Sequence, residues 1–61
     1  MGETFTSYYG AWTITVWQSN RIGVWNFTAS CGRNIFSGTV DAYDRTRATN
    51  EVIDQIKQAV G

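Results

Sequence analysis

Sixty-one residues make a single domain near the lower size limit at which one core outweighs the entropy of ordering the chain, and five Lys/Arg balance five Asp/Glu to a formal net charge of zero. One cysteine and no histidine exclude an internal disulfide and leave a zinc site only one thiol and a few carboxylates, so the remaining routes to stability are a dense aromatic core, for which three Trp, three Tyr and three Phe are present, and self-association, which stays open. Neutrality argues against counterion-driven binding to nucleic-acid phosphates and favours association of like copies over their repulsion.

Residues 1–7 are polar except for Phe5 and carry no helical pattern, which predicts a tail or a short extra edge strand. Aromatic and β-branched residues then alternate with polar ones. A strand over 9–18 points Trp12, Ile14 and Val16 one way and Thr13, Thr15 and Trp17 the other. Ser19 and Asn20 are turn formers. A second strand over 22–30 sets Trp25, Phe27 and Ala29 against Val24, Asn26 and Thr28. Gly32-Arg33-Asn34 makes the next turn, and a third strand over 35–42 alternates Phe36 and Val40 with Ser37 and Thr39.

A two-residue loop at Ser19-Asn20 pairs Ile14 with Trp25 and Trp12 with Phe27, and a four-residue loop over 19–22 keeps the same faces. A two-residue loop at Gly32-Arg33 pairs Ala29 with Phe36, Phe27 with Gly38 and Trp25 with Val40. Both hairpins therefore agree on which side is apolar, an agreement that a slip of one residue destroys. Gly38 opposite Phe27 leaves room for a ring or for close approach of a helix.

Near Tyr43 the period changes. Ala48, Val52, Ile53, Ile56, Ala59 and Val60 recur at helical spacing, predicting a helix over 44–60 capped by Asp44 or Thr46. Glu51, Asp54, Lys57 and Gln58 face water, and Gly61 stands where a helix-ending glycine is expected. The fold class is α+β: a three-stranded antiparallel meander over 9–42, with or without a fourth N-terminal edge strand, and one amphipathic helix on one face. The expected core is Trp12, Ile14, Val16, Trp25, Phe27, Phe36, Val40, Val52, Ile53, Ile56 and Val60.

The opposite sheet face carries Thr13, Thr15, Asn26, Thr28, Ser37 and Thr39, the composition of a solvated face. Its exception is the first hairpin's tip, where Trp17, Ile22 and Val24 fall together as cross-strand neighbours beside Arg21. Either Phe5 and Tyr8 fold over Trp17, or these four residues form a contact surface. Cys31 lies beside the Gly32-Arg33 turn, but no histidine can serve it as a base, so it reads as an inert thiol. Asp41 and Asp44 flank the strand-to-helix junction, where capping and turn formation account for them. Asn26-Phe27-Thr28 is a chance match to a glycosylation sequon. No catalytic residue, cofactor site or metal site is expected.

The order strand–strand–strand–helix is similar to that of the three-stranded-sheet DNA readers, such as plant ethylene-response domains and the arm-binding domains of tyrosine recombinases. The stretch Phe36-Ser-Gly-Thr-Val-Asp41-Ala-Tyr-Asp44 resembles the third strand and helix entry of the former. That resemblance implies major-groove reading from a sheet rich in Arg and Trp, whereas this face is rich in Thr and Ser. The topology also resembles the partial ribonuclease-H-like modules of Hic-type antitoxins, which implies association. The expectation is a non-catalytic, self-associating module, a homodimer for instance, that binds a protein partner through Trp17, Arg21, Ile22 and Val24. The alternative is a nucleic-acid-binding module using Trp17 with the arginines of the tip and helix entry. No apolar run approaches a membrane span and no basic-then-apolar leader opens the chain, so a cytoplasmic protein away from membranes is expected.

Overall fold

A computed structural model describes residues 3–60, with the Val60 side chain outside the description. Four strands, β1 (Thr4–Tyr9), β2 (Trp12–Gln18), β3 (Val24–Cys31) and β4 (Asn34–Asp41), precede one helix, α1 (Arg45–Val60). The strands form one antiparallel meander in the order β1-β2-β3-β4. The chain is α+β as its periodicity predicts, and the residues before Tyr9 supply a full edge strand.

Of the strand expected over 9–18, Trp12–Gln18 form β2, while Tyr9 ends β1. Gly10 and Gly32 hold a φ of 59° at the first central position of their turns, and neither Ala11 nor Arg33 has a positive φ, the pattern of a type II′ hairpin. The turn at Gly10-Ala11 brings Tyr9 opposite Trp12, so Tyr9 lies on the same face as Trp12. An uninterrupted strand would have put Tyr9 on the other side. Met1 and Gly2, the start of the expected tail, and Gly61 lie outside the described residues.

The β3–β4 register is the expected one, with Ala29 opposite Phe36, Phe27 opposite Gly38 and Trp25 opposite Val40. A Cβ on Gly38 would sit 3.4 Å from the Phe27 ring, so that ring occupies the space the glycine leaves. The β2–β3 register differs from both expected forms. Ile14 pairs with Ala29, Val16 with Phe27 and Gln18 with Trp25, because the connection is longer than two or four residues. Every one of these registers differs from the others by an even step, so the apolar face is unchanged.

That face carries the core: Trp12, Ile14, Val16, Trp25, Phe27, Ala29, Val40 and Ala42 from the sheet side meet Ala48, Val52 and Ile56 of α1. Asp44 caps the helix: the Arg47 N–H donates to its Oδ1 at 2.8 Å and the Ala48 N–H to its carbonyl at 3.0 Å. Two expected core members depart, and a third lies outside the description. Phe36 is 38% exposed because β4 is an edge strand, and its ring stacks on Trp12 with centroids 5.4 Å apart. Ile53 packs at the margin of the core, and Val60's side chain lies outside the description. Ala59, expected in the helix stripe, is exposed.

Candidate functional site

Ser19 organises the β2–β3 connection. Its N–H donates to the Val24 carbonyl at 3.1 Å, and its hydroxyl lies 2.9 Å from that oxygen and 3.1 Å from the Arg21 carbonyl. One proton serves one of those two acceptors at a time, while the same Oγ accepts the Arg21 N–H at 3.0 Å. Gly23 takes a φ of 81°, and its carbonyl accepts the Ala42 N–H at 3.0 Å, which fastens the loop to the end of β4. A loop closed this way holds its outer residues in fixed positions.

Ile22 stands at its crest, fully exposed, with Arg21 exposed beside it. Trp17 and Val24 are both half-buried on the open sheet face, but Trp17 pairs with Asn26 and Thr4, not with Ile22 or Val24. Val24 is therefore a diagonal neighbour of Trp17, and Ile22 lies beyond the end of the ladder. Of the four expected residues, the structure gathers Arg21, Ile22 and Val24 around one shallow cavity of about 170 Å³, and Trp17 is not among its lining residues.

The N-terminal aromatics do not cover Trp17. Phe5 lies on the helix side, its ring 6.4 Å from that of Trp25 and under the Arg45 guanidinium at 4.6 Å. Tyr8 is on the open face, opposite Thr13 and mostly exposed. What flanks Trp17 on that side is the short side chain of Thr4.

Sequence reasoning missed Tyr43. It lines the same cavity as Ile22 and also a second depression of about 400 Å³ that it shares with Gly23, Asp41, Ala42, Arg47 and Glu51. Its ring is 94% exposed. A hydrophobic residue just before an N-cap often packs onto the residue four positions into the helix, here Ala48, but so exposed a ring makes no such staple. An aromatic directly before Asp44 was the available signal.

Cys31 ends β3, half-buried against the core and free. Among the described residues no group of three or more His, Cys, Asp and Glu is placed to hold a metal ion. The arginines are dispersed. Arg45 lies over Phe5, Arg47 lines a depression with Asp41 and Glu51, and Arg33 sits in the turn at the opposite end of β3 from Arg21. No described helix is long and apolar enough to cross a membrane. No family model, no curated protein and no solved structure matches the chain.

Proposed function

We propose that this chain is a small, non-catalytic interaction module of the cytoplasm that self-associates and binds a protein partner through the end of the sheet where the β2–β3 loop meets the β4–α1 junction. The observation that carries this reading is the pair Ile22 and Tyr43. Both are almost wholly exposed and both border the same cavity, Ile22 on the loop pinned by the Ser19 and Gly23 hydrogen bonds and Tyr43 on the β4–α1 junction beside it. An exposed aliphatic and aromatic pair, with Arg21 at its rim, is the composition of an interface anchor. Fixing the loop in advance lowers the entropy cost of docking. Trp17 and Val24 extend the contact onto the open face.

Site-specific photo-crosslinking tests the reading. A benzophenone amino acid at position 22 is compared in cells with the same group at Asp54, an exposed helix position. A discrete protein adduct at 22 that is absent at 54 and lost on Tyr43→Ala supports the reading. Equal labelling at both positions, or adducts to nucleic acid alone, overturns it.

A further inference from the structure

The meander leaves two edges, and they differ in a way that selects one of them. On the helix side of β1, Arg45 lies 4.6 Å from the Phe5 ring centroid and Lys57 5.8 Å from that of Tyr9. Pairing two β1 strands about a twofold axis would set these cations of one copy against those of the other. The β4 edge has no such guard. Between β4 and α1 runs a groove of about 200 Å³ whose lining joins the apolar Phe27, Phe36, Val52, Ile56 and Ala59 to the uncharged Ser37 and Gln55, with no ionisable residue. The strand itself has no proline and no Lys or Arg, and its ladder to β3 is unbroken by a bulge, so it lacks the usual devices that blunt an edge. Two large apolar side chains of this strand are exposed, Ile35 at 67% on the open face and Phe36 at 38% on the helix side.

The hairpin fixes which backbone groups are free. In a two-residue hairpin the flanking residues, here Cys31 and Asn34, exchange both hydrogen bonds, and the pattern then alternates. Phe36, Gly38 and Val40 therefore turn their N–H and C=O toward β3, while Ile35, Ser37 and Thr39 turn theirs outward. These outward residues all share the open sheet face with Asn26, Thr28 and Ser30.

We infer that β4 pairs antiparallel with β4 of a second copy, about a twofold axis through Ser37. This inference rests on the self-association part of the proposed function and leaves the Ile22–Tyr43 end free for a partner. The two sheets become one, with both open faces on one side and both helices on the other. Ile35 lies opposite the partner's Thr39 and Ser37 opposite the partner's Ser37, each pair exchanging backbone hydrogen bonds. Phe36 falls opposite the partner's Gly38 as a non-hydrogen-bonded pair on the helix side, where a glycine brings no side chain against it. Arg33 is brought level with the partner's Asp41, so opposite charges meet at both ends of the seam. A formal net charge of zero on each copy removes overall repulsion.

Light scattering on size-exclusion fractions and sedimentation equilibrium of the full chain read this out. The wild type is expected at twice the monomer mass. Ile35→Lys with Thr39→Lys changes two exposed side chains and sets like charges opposite one another, so the dissociation constant should rise at least ~100-fold with an unchanged monomer fold by circular dichroism. Thr6→Lys on β1 should change nothing. Arg33→Asp and Asp41→Arg should each weaken the dimer severalfold, and the two together should restore it. A chain that is monomeric at every concentration overturns both the self-association reading and this inference. A dimer indifferent to the two lysines on β4, or dissociated by Thr6→Lys, overturns the inference alone. A double charge exchange that fails to restore the dimer overturns the register about Ser37.

Discussion

Two residues decide more about this core than their size suggests. Ala29, between Ile14 and Phe36 in the register, is too small to hold apart the rings of Trp12 and Phe36, which stack at 12° across it. Trp25, between Gln18 and Val40, is buried at 5% exposure with Phe5 against its ring. Truncation of a buried large aromatic costs ~3–5 kcal/mol, a large share of the ~5–15 kcal/mol that holds a small domain folded. Trp25→Ala should therefore be largely unfolded in dilute urea, and a wild-type denaturation midpoint would refute this placement. Asp44→Ala should lose about 1 kcal/mol with its cap, lowering the thermal midpoint by ~4–8 °C, whereas Asp44→Asn should keep most of it because Asn also accepts from the N3 amide. Trp25 was legible in the sequence from alternation, and Asp44 from capping chemistry as one of two candidates with Thr46. Tyr43 was not, because its role depends on a contact it does not make.

At the scale of elements, what was legible follows from parity. Alternation assigns each side chain a face, and loops differing by two residues leave that assignment intact, so the apolar sheet face and the β3–β4 pairs could be read directly. The same degeneracy hid the β2–β3 register, whose length is set by the Ser19 hydroxyl and the positive φ of Gly23. It also separated Trp17 from Ile22, two residues the sequence had placed together. The first turn was hidden differently: Gly10-Ala11 lacks the Asn-Gly or Asp-Gly signature of a tight hairpin, so β1 was only one of two alternatives. The turns give a test independent of packing. Nothing lies within 4 Å of a Cβ built on Gly32, yet its φ of 59° is unfavourable for any side chain. Gly32→Ala should destabilise by ~1–2 kcal/mol in chemical denaturation for backbone reasons alone. A neutral result would mean that the hairpin does not use this turn.

At the scale of the whole molecule, the helix covers one face of the sheet and leaves the other to water, so a chain this small has its core on one side, and the surfaces proposed for recognition lie at an end and an edge. Charge decides between the two kinds of partner. A nucleic-acid surface must neutralise several adjacent phosphates, each contact steepening the dependence of affinity on salt. Here the arginines do not converge. Arg21 and Arg33 lie beyond opposite ends of an eight-residue strand, separated by roughly 25 Å at the rise of an extended chain. Arg45 is held over Phe5, and Arg47 shares its depression with Asp41 and Glu51. The Thr- and Ser-rich open face offers hydroxyls and no cation among Thr13, Thr15, Thr28, Ser37 and Thr39. Fluorescence anisotropy with short labelled duplex and single strands at ~150 mM salt should therefore show no saturable binding below ~10 μM, and the weak binding at low salt should follow a shallow salt dependence. Sub-micromolar binding that is lost on mutating Arg21 and Arg33 would require a phosphate-tracking surface that this charge distribution does not provide, and would put the nucleic-acid reading first.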